Sequence, residues 1–482
     1  MSNFYQLSFF DINKKFRKFL TENSSNFIEL LKNYIPFSKL IPSEFKNTYY
    51  NPNGRNRDYS IESMLMFFIY KNLRSISKDK ILLGILKDSP DLRMDLGFDR
   101  VPDASQISRF KTNFKDQLHL TLDSLVSIVN KELKDLGIDL TKILISDTTG
   151  FEAYVEENNP KFLESLISNA KSYEKSGKAP DDFDSTKFAH SQMPKEASKN
   201  SDIKLKYLCG HFGYYLPAMI ITNGIGIIQD IQFPDEVQDF TDNKMPAEIK
   251  DEYDSKTLIP SLEIYFSKQS NENFEYFLGD SGFDGYDNYK YIFNKGLTPI
   301  IPINQRNGKT TPNCFRYSED NPDAKFYFDS KGDLICKNAD LPMKKLGPIK
   351  SDDRADRFSY GCPHNKTYTK NGEYVYVNDC ENPCSDAIRG RKKNIALDEE
   401  YRFNTKLPRN TDKWQNLYKK RTVCERTIAQ LKEYINIKAS LIRNTKSLKS
   451  TILLAGISQL IGVLIMIKSK ELDNLRSFKS AA

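Results

Sequence analysis

Two short apolar runs, each closed by an aspartate, constrain this chain more than any other feature. Residues 142–150 read KILISDTTG and residues 274–285 read FEYFLGDSGFDG. Brief apolar runs bounded by turn formers are the signature of strands buried in a sheet. A third run, GLTPIIPIN, follows at 296–304. Between the first two lie LKYLCGHFGYYLPAMIIT, an Asn223-Gly224 turn and IGIIQDIQF, which read as a hairpin or meander. Residues 255–270 read as helix. Strands ending in acids, with a helix between them, describe a mixed α/β sheet with flanking helices.

The rest of the chain frames that sheet. Residues 1–135 read as an all-α N-terminal domain, with breaks at Ser77, Ser89-Pro90 and Gly97, and with Asp103 or Ser105 capping a helix that carries Arg109 and Lys111; short helices with exposed cations suit DNA binding, and a solvated helical domain is the alternative. The sheet region occupies 136–304. Its polar stretch 171–201 reads as irregular. Residues 305–410 break the rhythm and read as an insertion, β or irregular, holding KFYFDS, EYVYVND and five of the seven cysteines. Helices resume over 411–470 and complete the sheet domain, and 471–482 form a tail.

Composition is that of a globular protein, 39% hydrophobic and 28% charged with a net charge of +7. The sequence shows no secretory signal, because its first twenty residues are interrupted by charge. The long apolar run Thr451–Ile467 is slightly short for a membrane span and contains Ser458 and Gln459, so a buried core helix is expected. No membrane partner is expected, and the protein should be cytoplasmic. An odd number of cysteines argues against a disulfide framework.

The segment YKKRTVCERTIAQLK holds one acid among cations. Drawn as one helix, Tyr418, Arg421, Glu425 and Lys432 fall at roughly 0°, 300°, 340° and 320°. Val423, Leu431, Tyr434 and Ile435 fall on the opposite, apolar side. Such a helix buries one face and offers a carboxylate flanked by cations on the other. Cations also crowd the sequence before it, among them Arg389, Arg391, Lys392, Lys393, Arg402 and Arg409. Asp147, Asp280 and Glu425 together are a hard oxygen set of the kind that binds Mg²⁺ beside substrate phosphates. Taken singly, each acid is as readily a turn former or a solvated side chain.

These residues resemble the DDE-type transposases of bacterial insertion sequences, whose catalytic domain has the ribonuclease H-like fold. More narrowly, Tyr418, Arg421, Glu425 and Lys432 match the signature Tyr-x2-Arg-x3-Glu-x6-Lys. Asp147 in ILISDTTG and Asp280 in FLGDSGFDG resemble the family's first two acid blocks. SIESMLMFFIYKNLRSIS and VPDASQISRFK resemble its helical N-terminal domain. The resemblance implies that Asp147, Asp280 and Glu425 bind two Mg²⁺ or Mn²⁺ ions. It implies hydrolysis of a phosphodiester at the element's ends, then attack of the freed 3′-hydroxyl on target DNA. Arg421 and Lys432 would grip phosphates, and Tyr418 would contact a phosphate or stack on a displaced base. The implied partner is double-stranded DNA, both the terminal inverted repeats and the target, held by a homodimer. The alternatives are a metal-dependent nuclease on the same fold and a DNA-binding relative without activity.

Other residues offer weaker signals. Cys336, Cys362, Cys380 and Cys384, with His364, have a spacing that admits a structural zinc site; the alternative is free thiols. Trp414 is expected as a core anchor, with base stacking as the alternative. His211 reads as structural, Asp284 and Asp287 as cap or loop acids, and Glu152 as a spare metal contact. Cys424 should point about 100° away from Glu425.

Overall fold

The computed structural model describes residues 37–469 and 472, apart from 55, 139–141, 181, 209–210, 237–253, 270–273, 305–310 and 436–441. It is a mixed α/β, ribonuclease H-like architecture. The chain divides into two compact units: Met1–Thr141 with Asp147–Val237 and Val423–Ala482, and Lys142–Ser146 with Gln238–Thr422.

The first unit opens with helices α1 (Ser43–Tyr49), α2 (Ile61–Leu73), α3 (Asp79–Asp88), α4 (Pro90–Asp95), α5 (Ala104–Asn113) and α6 (Lys115–Asp135). The breaks fall where the sequence places them. Ser89 precedes Pro90 at the first turn of α4, Gly97 takes φ +81°, and Asp103 with Gln106 forms a capping box ahead of α5. Two buried lysines, Lys71 and Lys111, both pair with Asp79 at 3.0 and 2.6 Å, which ties α2 and α5 to the start of α3.

Strand β1 (Ile143–Glu152) is shared between the units. Helices α7 (Pro160–Lys175) and α8 (Ser185–Ser191) follow, then β2 (Glu196–Ala197), β3 (Asn200–Leu208), β4 (His211–Asn223) and β5 (Ile228–Gln232). Residues 171–201 are thus largely ordered. Asp184 caps α8 by accepting from the N–H groups of Thr186 and Lys187, a local bond that the polar composition hid. The expected meander is present: β3, β4 and β5 pair antiparallel, and Asn223 Oδ1 accepts from Ile225 and Ile227 N–H in the β4–β5 turn.

Helix α13 (Thr445–Lys468) runs through the first unit. It is long and apolar enough to cross a membrane, with mean hydropathy 2.2, yet that apolar stretch is entirely buried inside the protein. Its polar residues explain why. Ser458 Oγ accepts from Asn72 Nδ2 of α2, Gln459 Oε1 accepts from Ile228 N–H of β5, and Gln459 Nε2 donates to Gly226 O. Each is satisfied by protein groups, as buried polar atoms must be.

In the second unit β1 pairs in parallel with β6 (Tyr276–Leu278), which pairs in parallel with β7 (Thr298–Ile300). Helices α9 (Asp254–Lys268) and α10 (Tyr286–Asn294) precede and follow β6. Within the first unit the strand order is β2-β3-β4, with β5 on β4, and within the second it is β1-β6-β7. The insertion is β-rich. Strands β8 (Phe326–Phe328), β9 (Leu334–Cys336) and β10 (Leu341–Pro342) form one sheet. Strands β11 (Lys344–Ile349), β12 (Arg357–Gly361) and β15 (Lys392–Ala396) form another, and β13 (Asn365–Lys370) pairs with β14 (Glu373–Asn378). Tyr317, Phe328, Leu334, Phe358, Tyr360, Ile395 and Phe403 share one buried core. Helix α11 (Asp412–Tyr418) closes this unit, and α12 (Thr422–Ile435) follows it in sequence.

Candidate active site

The last register pair between β1 and β6 is Ile145 with Leu278. Asp147 and Asp280 each stand two residues beyond it, an even step that keeps alternation in phase on both strands. Asp147 is half-buried within β1, and Asp280 is half-buried just past the end of β6.

Asp280 sits in a tight turn. Its Oδ1 accepts from Gly282 N–H at 2.8 Å, which caps a 3-10 turn over Ser281–Phe283. The local bond is that of an Asx turn. Its Oδ2 accepts no hydrogen bond among the described residues. The flanking glycines are required by contact. A Cβ on Gly282 would lie 2.9 Å from Asp280 Oδ1, and one on Gly279 would lie 2.9 Å from Phe283. The turn-forming role and the orientation of the acid are therefore the same interaction.

Glu425 lies exposed in the first turn of α12. The opposite face of that helix packs on the β4–β5 region. Cys424 is fully buried with its Sγ 3.7 Å from Ile220 O, and Thr427 Oγ1 donates to Gly226 O at 2.8 Å. Gly226 has φ +81°, and a Cβ there would meet Val423 Cγ1 at 2.7 Å, so only glycine lets the helix approach this closely. Cys424 thus points away from the Glu425 side, as helical geometry requires. Val423 and Leu431 are buried as expected, whereas the side chains of Tyr434 and Ile435 lie outside the described residues. Lys432 places Nζ 5.8 Å from the Phe151 ring of β1.

The single continuous helix needs correction. Tyr418 ends α11, Lys419–Arg421 form a 3-10 turn, and α12 begins at Thr422. Three residues at the tighter 3-10 pitch add a rotation of about 60° over α-helical winding. On that nominal winding Tyr418, Arg421, Glu425 and Lys432 fall at about 0°, 0°, 40° and 20°, so the spread stays narrow although the helix is not continuous. Thr422 Oγ1 donates to Lys419 O, an i to i−3 bond that suits this tightening. Trp414 is buried and stacks on Tyr418, with ring centroids 5.0 Å apart and an interplanar angle of 19°. It is a core anchor, and one face of the Tyr418 ring belongs to it.

Asp284 has a role that the sequence did not reveal. Its side chain is fully buried and meets Arg402 in a bidentate pair, Nε to Oδ1 at 2.7 Å and Nη2 to Oδ2. It also accepts from Asn304 N–H and Tyr289 Oη. Burial alone would lower the Arg402 pKa, but Asp284 outweighs it and holds the guanidinium above its ordinary value. Arg409 extends the network to Ile301 O, Tyr289 Oη and Arg402 O. The turn that carries Asp280 is thus fastened to the end of the insertion. No local pattern signals a pair between residues 118 apart.

Among the described residues, no three of Cys336, Cys362, Cys380, Cys384 and His364 gather their ligand atoms within 4.8 Å of one another. Cys336 is buried in the insertion core, its thiol pushed up by burial and further by Cys384 and Cys362, which lie within electrostatic reach. Cys362 Sγ is 4.0 Å from Asn378 Oδ1, and His364 Nδ1 is 3.2 Å from Asp379 Oδ1. Among the described residues, the group of three or more His, Cys, Asp or Glu gathered within 4.8 Å is His119, Asp123 and Asp230. This acidic group can hold a cation, but Asp230 already accepts from His119 Nε2, Ile231 N–H and Gln232 Nε2, a pattern that fastens α6 to β5. The His211 side chain lies outside the described residues, and Glu152 ends β1 half-buried.

Two regions of the chain match known families. Residues 15–113 match the family described as Transposase domain (DUF772), and residues 247–460 match the Transposase DDE domain. The second match takes in Asp280 and Glu425. Together they support a transposase of the DDE type encoded by an insertion sequence, a class of DNA-acting enzyme that uses divalent metal. No curated protein matches the chain.

Proposed function

We propose that this chain is a transposase of the group with the Tyr-Arg-Glu-Lys signature. It cleaves DNA at the ends of its element and joins the freed 3′-hydroxyl to target DNA. Asp147, Asp280 and Glu425 are the carboxylates that would hold two Mg²⁺ or Mn²⁺ ions. What supports this reading is the parallel register of β1 and β6, whose last pair, Ile145 with Leu278, stands two residues before each aspartate in sequence. The donor set fits: carboxylates alone suit a hard cation that keeps water and phosphate oxygens as its other ligands. Bound there, the ions would supply activation of the attacking oxygen and stabilisation of the leaving one.

The protein's own part is positioning. Gly282 N–H orients the Asp280 carboxylate, and the buried face of α12 holds Glu425 outward. Arg421 offers a forked donor to a phosphate and Lys432 a point charge. Tyr418, braced by Trp414, offers its hydroxyl to a phosphate oxygen. Two element ends must be held together during joining, so the working complex is a homodimer on double-stranded DNA, acting at the nucleoid in the cytoplasm.

The test uses labelled duplex made from the DNA flanking the coding region. Asp147→Ala, Asp280→Ala and Glu425→Ala should each lower strand cleavage more than about a hundredfold, since even an outer partner of a metal ligand costs about 10- to 100-fold. Duplex affinity should survive. Undiminished cleavage by any of the three removes that residue from the site. Cleavage without joining by the unmodified protein would make it a nuclease.

A further inference from the structure

The cations at Arg391, Lys392 and Lys393 do not belong to the signature helix. They stand at the start of β15, an edge strand of the insertion. There they meet Arg316, on the 3-10 turn Phe315–Tyr317, and Lys325, just ahead of the edge strand β8. The five line one cleft of about 460 Å³, whose other walls include Tyr317, Phe326 and a single acid, Asp323.

None of the five cations forms an ion pair among the described residues. Several cations elsewhere in this unit do: Lys345 pairs with Asp333, Lys366 with Asp379, Lys406 with Asp356 and Arg402 with Asp284. Lys393 alternates in register with the fully buried Ile395, yet it stays half-buried, and its Nζ sits 5.4 Å from the Tyr317 ring. Its stem lies along the core edge and its ammonium emerges at the cleft. Gathering five like charges is unfavourable in the free protein. Lysines beside an edge strand guard against strand pairing, but Arg316 is on a 3-10 turn and gains nothing from that. The arrangement favours a polyanion with a charge at every repeat.

We infer that this cleft, formed by Arg316, Lys325, Arg391, Lys392 and Lys393, is a binding site for the phosphate backbone of double-stranded DNA. The inference rests on the transposase reading for its choice of polyanion. Contacts of this kind position a duplex without reading its sequence. The cleft would hold DNA through the insertion, by residues outside both the acid set and the signature.

The experiment measures binding of a labelled random-sequence duplex to the full chain by fluorescence anisotropy, over a series of salt concentrations. The variant is Arg391→Gln/Lys392→Gln/Lys393→Gln, with Lys350→Gln/Lys370→Gln as an exposed control in the same insertion, and circular dichroism confirms that both fold. Each lost phosphate contact removes about 0.9 from the slope of log affinity against log salt, so the triple variant should lose about 2 to 3. At low salt its affinity should fall at least tenfold, while the control changes little. A triple variant with unchanged slope and affinity, or a fall equalled by the control, overturns the inference. If the triple variant does not fold, Arg316→Gln/Lys325→Gln replaces it, with an expected slope loss of about 2. The two readings fail separately. Duplex bound through the cleft by a chain that never cleaves it would leave the site standing and remove the transposase. Cleavage by a chain whose triple variant binds normally would do the reverse.

Discussion

Gly282 shows how one residue can decide the aim of another. Its N–H holds Asp280 Oδ1, and the space where a side chain would begin is filled by that same oxygen at 2.9 Å. An added methyl group must displace either the carboxylate or the turn. Gly282→Ala should therefore lower metal-dependent cleavage about 10- to 100-fold, the range for disturbing a partner of a metal ligand. Duplex affinity and melting temperature should stay near those of the unmodified protein. Cleavage kinetics on flanking-sequence duplex would check this, and full activity in the Gly282→Ala variant would separate the turn from the chemistry. The Asp-x-Gly spacing was visible in the sequence because the interaction spans two residues. Asp284, four residues on, was not. It looked like a loop acid, and its partner Arg402 is distant in the chain.

At the level of elements, what is local was readable and what depends on pairing between distant parts was not. The strands over Ile143–Glu152 and Tyr276–Leu278 follow from apolar runs and turn formers, and the break before α4 follows from Ser89-Pro90. The link between α11 and α12 was read as continuous helix, because Lys419–Arg421 have no residue that breaks one. The turn tightens there through backbone geometry, which composition does not encode. The Asp284–Arg402 pair likewise joins the turn after β6 to the exit of the insertion. Removing one partner of a buried pair strands the other charge and costs about 3–5 kcal/mol. Asp284→Asn should destabilise this unit by that amount, read in urea from the fluorescence of Trp414, the sole tryptophan. Replacing both partners, as Asp284→Leu/Arg402→Met, should recover part of the loss, because two apolar groups leave no charge unpaired. A single variant as stable as the parent would show that the pair is not needed.

For the molecule as a whole, the long apolar run at 451–467 announced a buried helix, but not the two lysine-bridged acids of the same unit. Asp79 is flanked by Lys111 and Lys71, and Glu236 accepts from Lys115 and from Lys449 of α13, all within the first unit. For both acids burial opposes ionisation, yet the lysines outweigh it and hold each carboxyl below its ordinary value. A carboxyl with a lowered pKa in the folded state adds stability that is fully present above its unfolded pKa, about 4. That stability disappears as pH falls through the folded value. The first unit, which contains most of the long helices, should therefore lose stability progressively from about pH 5 downward. Thermal melts followed by far-ultraviolet circular dichroism at a series of pH values would record it as a falling midpoint. Asp79→Asn/Glu236→Gln should melt several degrees lower at about pH 7 and show a flatter decline in acid, since the two groups that take up protons on unfolding are gone. An unchanged acid slope would assign the decline to other carboxylates and leave these two lysine bridges without a part in it.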